Sequence, residues 1–305
     1  MGTPDFAMPT LRELCLAGHE IVGAVTQPDK PKGRGHHLTP PPIKVFALEK
    51  NIPVYQPMTL RGEEFATLLA ELDPEMIVVV AYGKILPKNV LDFPRYGCIN
   101  VHGSLLPEYR GAAPMQRAII DGKSVTGITT MYMDVGLDTG DMLLKEEIAI
   151  EENDNFETIH DKLGSLGASL IVRTLAGLEE GSVHRIPQDE ALATYAAKIT
   201  KEDCALSFDR DAKAVHDSIR GLSPIPLSFT HTADGKILKI TESRLTDTET
   251  EHLTPGEVLS LENGITVACA RGSILLTGVL PEGKSRMAAI DFIRGRKVAV
   301  GDILK

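Results

Sequence analysis

Two polar side chains, Asn100 and His102, lie at the end of an apolar run that begins at Cys98. Side chains alternate along a strand, so residues two apart emerge on the same side, here at the carboxyl end of the strand. An asparagine amide can donate hydrogen bonds to a developing oxyanion, and a histidine can accept a proton near neutral pH. Taken alone, the pair is also explained by an ordinary polar strand end whose histidine caps a loop.

A second segment whose residues could take part in catalysis is MDVGLDTGD at residues 133–141. Its glycines indicate a tight loop after a strand, in which Asp138 would face His102 and keep the imidazole oriented and basic. A loop of this composition is by itself more often a simple turn. The sequence offers no suitable serine or cysteine nucleophile and no HxH or HExxH zinc spacing. An asparagine, a histidine and an aspartate without a nucleophile suit direct transfer of an acyl group between two bound substrates, and we expect no metal.

The elements that would hold these residues alternate between strand and helix up to about residue 180. Continuous apolar runs of four to six residues are typical of strands buried on both faces, and the stretches between them have helical spacing. This pattern predicts an α/β domain with a doubly wound, mostly parallel, Rossmann-like sheet. The predicted strands are 21–26, 76–81, 98–101 and 126–133, and the predicted helices are 9–16, 63–72 and 155–178.

The pattern changes after residue 180. A stretch with a proline and no clear period predicts a linker, followed by a short helix at 212–222 and five short strands with Gly and Pro turns. We therefore expect a catalytic domain at 1–180, a linker at 181–200 and a smaller OB-like β-barrel domain at 201–305. The five strands are 227–231, 237–243, 256–261, 265–270 and 273–279.

The N-terminus is unusual for this architecture. The segment GTPDF at residues 2–6 has the character of a turn between a first strand and a first helix, yet no strand precedes it. A doubly wound sheet places that strand centrally. We therefore expect a first strand made of several apolar residues upstream of Met1.

Composition limits the classes of function. The chain has 305 residues, is 43% hydrophobic and carries a formal net charge of −10. No apolar run approaches the roughly 18 residues of a membrane-spanning helix, so no membrane partner is expected. The four cysteines form no CxxC pair, which favours buried reduced thiols and a cytoplasmic location. The negative charge argues against diffuse attraction to nucleic acid.

Positive charge is nevertheless concentrated in two segments. Residues 28–44 carry a net +3 and residues 284–305 a net +4, which leaves −17 on the rest of the chain. Each segment could be an ordinary solvated surface. The functional alternative is contact with RNA phosphates by two basic segments of an acidic protein, which disfavours indiscriminate binding.

The two chemical motifs together resemble those of the formyltransferases that use 10-formyltetrahydrofolate. The resemblance is carried by CINVHGSLLPEYRGAAP at 98–114 and MDVGLDTGDML at 133–143. The segments GTPDF, TQPDKPKGRG and AYGKILP and the length of the C-terminal region resemble the branch of that family whose acceptor is initiator methionyl-tRNA. The resemblance covers essentially the whole chain.

The resemblance implies formyl transfer from 10-formyltetrahydrofolate, as co-substrate, to the α-amine of methionine on initiator tRNA, for translation initiation. It assigns Asn100, His102 and Asp138 to catalysis through a tetrahedral intermediate, and we expect a monomer. The residues implied to bind folate are Tyr82, Gly83, Ile85, Leu86, Ser104, Leu105, Leu106 and Pro107. The expected tRNA-binding residues are Lys30, Lys32 and Arg34 in the first basic segment and Arg294, Arg296 and Lys297 in the second.

Two other functions remain compatible with the sequence. One is a formyltransferase of the same catalytic domain acting on a nucleotide amine or a sugar amine, against which the two basic segments argue. The other is a non-catalytic RNA-binding protein with the α/β domain as a scaffold, against which the complete set of Asn100, His102 and Asp138 argues.

Overall fold

The computed structural model describes residues 1–32, 37–252 and 254–305. Its helices are α1 (Met8–Leu16), α2 (Pro42–Glu49), α3 (Glu63–Leu72), α4 (Lys88–Leu91), α5 (Pro114–Ile120), α6 (Phe156–Glu179), α7 (Ala212–Gly221) and α8 (Ala289–Arg294). The strands up to residue 200 are β1 (Ala24–Val25), β2 (Lys30–Lys32), β3 (His37–Thr39), β4 (Val54–Tyr55), β5 (Ile77–Val79), β6 (Cys98–His102), β7 (Arg110–Gly111), β8 (Val125–Tyr132), β9 (Met142–Ala149) and β10 (Tyr195–Ala196). The later strands are β11 (Ser228–His231), β12 (Ile237–Glu251), β13 (Val258–Ser260), β14 (Ile265–Ala268), β15 (Arg271–Pro281) and β16 (Met287–Ala288).

The chain divides into two compact units that are not continuous in sequence. The first contains residues 1–111, 127–148 and 160–195, and the second contains residues 112–126, 149–159 and 196–305. The candidate catalytic residues all belong to the first unit.

Parallel pairing organises the sheet of the first unit. Strand β1 pairs with β4 and strand β5 with β6, both parallel, and β6 pairs with β8 antiparallel, followed by β9. The residues of β5 and β6 are largely buried, as expected of apolar strands covered on both faces. The predicted Rossmann-like, mostly parallel sheet is confirmed, although β1 and β5 are shorter than the apolar runs that contain them.

The first two residues of the chain join the two halves of this sheet. The N–H of Gly2 donates to the carbonyl of Val25 at 3.0 Å, and the N–H of Val80 donates to the carbonyl of Met1 at 2.9 Å. The ammonium of Met1 donates to the carbonyl of Val78 at 2.6 Å, and burial lowers its pKa to about 6. Met1 and Gly2 therefore take a central strand position between β1 and β5.

A cavity of about 150 Å³ continues the line of Met1 and Gly2. Its walls include residues 21–25 from the β1 side, residues 76–78 from the β5 side and Leu14 of α1. The cavity lies where the sequence predicts a first strand upstream of Met1, and that strand remains a prediction.

Helix α6 covers the sheet, and its sequence explains the close contact. Leu163, Leu170 and Ile171 lie on its buried face. A Cβ atom at Gly167 would lie 2.8 Å from Cγ1 of Val101, so glycine is needed for the helix to pack against β6. This contact holds in place the strand that carries Asn100 and His102.

The second unit is built on an antiparallel sheet in the order β11–β12–β15–β14–β13, with β16 pairing with β15. Helix α7 buries Val215 and Ile219 in the same core as Ile240 and Leu276. The predicted C-terminal domain of antiparallel strands is confirmed; its OB-like closure remains a prediction. The strand expected at 237–243 continues to Glu251, because its outer half pairs with β15 across several register shifts.

Three of the four cysteines, Cys98, Cys204 and Cys269, are buried as free thiols, whereas Cys15 is half-buried. Burial raises the pKa values of Cys98 and Cys269 to about 12, so these thiols stay protonated. None of the described helices has both the length and the apolar composition needed to cross a bilayer.

Candidate active site

The candidate site lies at the carboxyl edge of the parallel strands, where ligands bind in open α/β sheets. Strand β6 ends at His102, and β5 leads into the loop that begins at Ala81. His102 is buried and Asn100 is half-buried. Within the described part of the chain, the amide of Asn100 has no hydrogen-bond partner, so its N–H groups can donate to a ligand.

The imidazole of His102 is oriented by a backbone carbonyl. Its Nε2 lies 3.0 Å from the carbonyl oxygen of Tyr109. A carbonyl oxygen only accepts, so Nε2 carries the proton and the basic nitrogen of the neutral ring is Nδ1. This nitrogen lies on the side of Asp138, which fits a role as proton acceptor.

Asp138 lies next to His102, as its position in the loop suggests, but it does not form a direct hydrogen bond with the ring. Its Oδ2 is 3.8 Å from Nδ1, a distance for electrostatic attraction rather than hydrogen bonding. The same oxygen accepts a hydrogen bond of 2.8 Å from the N–H of Gly111. The Asp138 carboxylate therefore lies beside Nδ1 without a direct hydrogen bond to it, while the carbonyl of Tyr109 sets the direction of the ring.

The segment Ser104–Pro107 forms a turn whose side chains mostly face the protein. The hydroxyl of Ser104 donates to the carbonyl of Glu108 at 2.6 Å, and Leu106 packs with Met131 and Met142. Leu105 is only half-buried. Binding of folate by these residues remains a prediction, and only Leu105 and backbone groups of the turn have the exposure for it.

The loop from Tyr82 to Leu86 is anchored from several sides. The carbonyl of Tyr82 accepts from the Thr3 hydroxyl and from the Gln27 amide, each at 3.0 Å. The Tyr82 ring is buried, which raises the pKa of its hydroxyl to about 12, and Leu86 is buried in the same core. Ile85, by contrast, is 84% exposed. The predicted folate contacts of this loop therefore involve Ile85 and the backbone around Gly83, whose φ is +81°.

Three residues near the site were not identified from the sequence: Arg110, Gln188 and Glu190. Arg110 has no exposed surface, and its Nε donates to the Gln188 amide oxygen at 3.0 Å. Its two terminal nitrogens donate to Glu190 at 3.0 and 2.7 Å, which raises the pKa of Arg110 and lowers that of Glu190. Gln188 and Glu190 lie in the stretch predicted to be a linker, which has no periodicity that would indicate such contacts.

The first basic segment contains a short antiparallel pair, with β2 opposite β3 and Lys30 opposite Thr39. Lys30 is exposed, and the backbone of Lys32 lies in β2, whereas Arg34 lies outside the described residues. Lys44 is bound to Asp29 at 2.9 Å, so this lysine and the single acid of the segment neutralise each other. The remaining positive charge belongs to Lys30, Lys32 and Arg34.

The second basic segment is exposed at Arg294, Arg296 and Lys297. Arg294 pairs with Asp291 at 2.7 Å, with both side chains more than half exposed. An exposed ion pair of this kind contributes little to stability, so Arg294 can readily leave Asp291 and bind a phosphate instead. The predicted tRNA-binding residues of this segment are therefore accessible, and their role remains a prediction.

Comparison with known protein families matches two consecutive parts of the chain. Residues 1–175 match the family described as formyl transferase, and residues 198–297 match the formyl transferase C-terminal domain. Together these matches cover strand β6, which carries Asn100 and His102, the loop that carries Asp138, and the antiparallel sheet of the second unit.

Full-length relatives show the same similarity. The methionyl-tRNA formyltransferase of Pelotomaculum thermopropionicum is 48% identical over 305 residues, which is all of this chain and 97% of the relative. That of Geotalea daltonii is 48% identical over 302 residues, covering 99% of this chain and 96% of the relative.

A solved structure shares the fold at lower identity. It is the N-formyltransferase of Helicobacter canadensis, in complex with folinic acid and dTDP-3-aminofucose. The TM-score is 0.66 at 17% identity, with 90% of this chain and 96% of that chain covered.

Proposed function

The chain belongs to the formyl transferase family, and we propose that it transfers the formyl group of 10-formyltetrahydrofolate to the α-amine of methionine on initiator tRNA. Full-length identity of 48% to methionyl-tRNA formyltransferases supports this acceptor. The reaction belongs to translation initiation, which fits a cytoplasmic enzyme with free cysteines.

The observation that carries the proposal is the environment of His102. Its Nδ1 is free to accept a proton and lies 3.8 Å from the Asp138 carboxylate. Its Nε2 donates a hydrogen bond to the carbonyl of Tyr109. A protonated ring would thus have an acceptor at one nitrogen and a negative charge beside the other. This arrangement stabilises the imidazolium that forms when an amine attacks.

The proposed reaction proceeds in two steps. The neutral α-amine attacks the formyl carbon, a new C–N bond forms, and the carbonyl oxygen becomes an oxyanion that the Asn100 amide stabilises. The amine loses a proton to Nδ1 of His102. The intermediate then collapses: the bond from the formyl carbon to N10 of the folate breaks, and the proton is delivered to N10. The protein thus serves as a proton carrier, and no covalent intermediate with it is needed.

The folate is proposed to lie against the Tyr82–Leu86 loop and the turn that contains Leu105. Ile85 and Met58 are both more than 80% exposed, and Lys84 holds their two loops together through the carbonyls of Pro57 and Met58 at 2.9 and 2.8 Å. Two exposed apolar side chains on connected loops are suited to contact the rings of a folate.

The tRNA is proposed to contact Lys30, Lys32 and Arg34 of the first basic segment and Arg294, Arg296 and Lys297 of the second. Contacts to the phosphate backbone position a nucleic acid without recognising its bases. They also supply the attraction that a protein of net charge −10 would otherwise lack.

One assay distinguishes this function from its alternatives. The protein is incubated with 10-formyltetrahydrofolate and with methionyl-tRNA, a glycinamide ribonucleotide or an amino sugar, and formyl transfer is followed. We expect transfer to methionyl-tRNA alone. Transfer to either small amine instead would assign a different acceptor, and binding of tRNA without any transfer would assign a non-catalytic RNA-binding protein.

A further inference from the structure

Two non-glycine residues beside His102 have a left-handed backbone. Tyr109, whose carbonyl orients the ring, has φ +59°, and Asp138 has φ +54°. This region is unfavourable for residues with a side chain and is kept only where neighbouring groups enforce it. Both partners of His102 thus depend on contacts that hold these backbones.

Gln188 supplies such a contact to the Asp138 loop. Its amide nitrogen donates to the carbonyl of Asp138 and to the carbonyl of Gly140, each at 2.8 Å. Both N–H groups are therefore used, on carbonyls that flank the turn of the catalytic loop.

The orientation of the Gln188 amide is fixed in turn by Arg110. The amide oxygen accepts from Nε of Arg110 at 3.0 Å, and Glu190 holds the other end of the same guanidinium. A flipped amide would place its oxygen against two carbonyls and its N–H groups against a cation. Only one orientation is compatible with these neighbours, and it directs both donors to the loop.

We propose that Gln188 is a positioning residue of the active site: it holds the Asp138 loop so that the carboxylate stays beside Nδ1 of His102. Gln188 acts on the backbone of the loop and has no part in the chemical step. This inference rests on the proposed function, because its effect is measured on formyl transfer.

The decisive variant is Gln188→Glu, which keeps the size of the side chain and an acceptor for Arg110 but loses both donors. We expect kcat to fall by on the order of 100-fold, the effect of a displacement near 1 Å at a catalytic group. KM for both substrates should stay within about twofold, since the side chain binds neither. Gln188→Met, of similar length and without charge, should show the same fall in kcat with the same small change in KM.

The matched control is Glu190→Gln on the far side of Arg110. It weakens an ion pair whose carboxylate side chain is 70% exposed and leaves all three hydrogen bonds of Gln188 in place. We expect kcat within about twofold of the parent.

A double-mutant cycle with Asp138→Asn separates positioning from general stability. If Gln188 acts through the Asp138 carboxylate, Gln188→Glu should cost at most about threefold in the Asp138→Asn background. Full additivity of the two losses, or an unchanged kcat in folded Gln188→Glu and Gln188→Met, would overturn the proposal. An inactive parent protein would instead refute the proposed function.

Discussion

At the scale of single residues, His102 has two different partners, and the role of each determines the expected effect of its substitution. A backbone carbonyl sets the ring direction and Asp138 supplies charge, so no single side chain does both. Asn100 has no partner within the described chain, and its amide is left for the substrate.

Asn100→Ala should lower kcat by about 100-fold or more, because the loss of one oxyanion donor costs roughly 2.7–4 kcal/mol in other enzymes. Asn100→Asp should be at least as damaging, since it keeps the shape but replaces donors by a negative charge. Steady-state kinetics measures both, with circular dichroism to confirm folding. A folded Asn100→Ala protein with nearly unchanged kcat would remove this residue from the mechanism.

The sequence predicts Asn100, His102 and Asp138 as catalytic residues but does not predict the residues that support them, for a physical reason. Asn100 and His102 stand at a strand end whose period determines where they point, and Asp138 lies in a recognisable glycine-rich loop. Gln188 lies in a segment without a period. Its hydrogen bonds depend on tertiary placement, which local spacing does not encode.

At the scale of elements, the buried ammonium of Met1 makes the stability of this chain depend on pH. Its pKa falls from 8.0 to about 6 on folding. Between these values the unfolded chain binds more protons, so the free energy of unfolding should rise from pH 6 to pH 8, by about 3 kcal/mol. Below pH 6 the folded chain bears the full cost of burying a charged ammonium. Urea unfolding at a series of pH values measures it, and a chain acetylated at Met1 should lack this rise.

Four apolar β-branched residues added before Met1 should enter the adjacent cavity as a parallel strand. Val78 and Val25 already bond to Met1 and Gly2 in that register. The free energy of unfolding should increase by about 2–4 kcal/mol, since burial of apolar side chains exceeds the entropy cost of ordering them. A Gly-Ser extension of equal length is the control, because it also removes the ammonium. Equal stability of the two extended chains would contradict a strand at this position.

The boundaries of helices are predicted well from local sequence patterns, whereas those of strands are not. Helix α3 has the bounds its apolar spacing predicts, and α6 differs by one residue at each end. Strands β1 and β5 cover only part of their apolar runs, because strand length depends on the neighbour available for pairing. The long extension of β12 likewise depends on β15 and has no local signal.

At the scale of the whole molecule, positive charge is concentrated in the two basic segments although the net charge is −10. We expect a triple variant to bind tRNA more weakly and with a smaller salt dependence. Its substitutions are Arg294→Ala, Arg296→Ala and Lys297→Ala. Each lost phosphate contact lowers the slope of log K against log salt by about 0.7–0.9. Equilibrium binding at four or more salt concentrations measures this slope.

The control for loss of positive charge elsewhere on the surface is Lys236→Ala combined with Arg271→Ala. Both residues are held in exposed ion pairs outside the two basic segments, with Asp234 and Glu249. We expect the salt slope of this variant to match that of the parent. An unchanged slope in the triple variant would show that the second basic segment does not contact tRNA.

The contacts of residues 188–194 also fix when the site can form during synthesis. Gln188 holds the Asp138 loop, and Thr194 accepts from the N–H groups of Tyr109 and Arg110 at 2.8 and 2.9 Å. The ribosome must therefore release the chain through Thr194, more than fifty residues beyond Asp138, before His102 has both partners in place. A nascent chain that ends earlier contains Asn100, His102 and Asp138 and still lacks the contacts that hold the two partners of His102 in place.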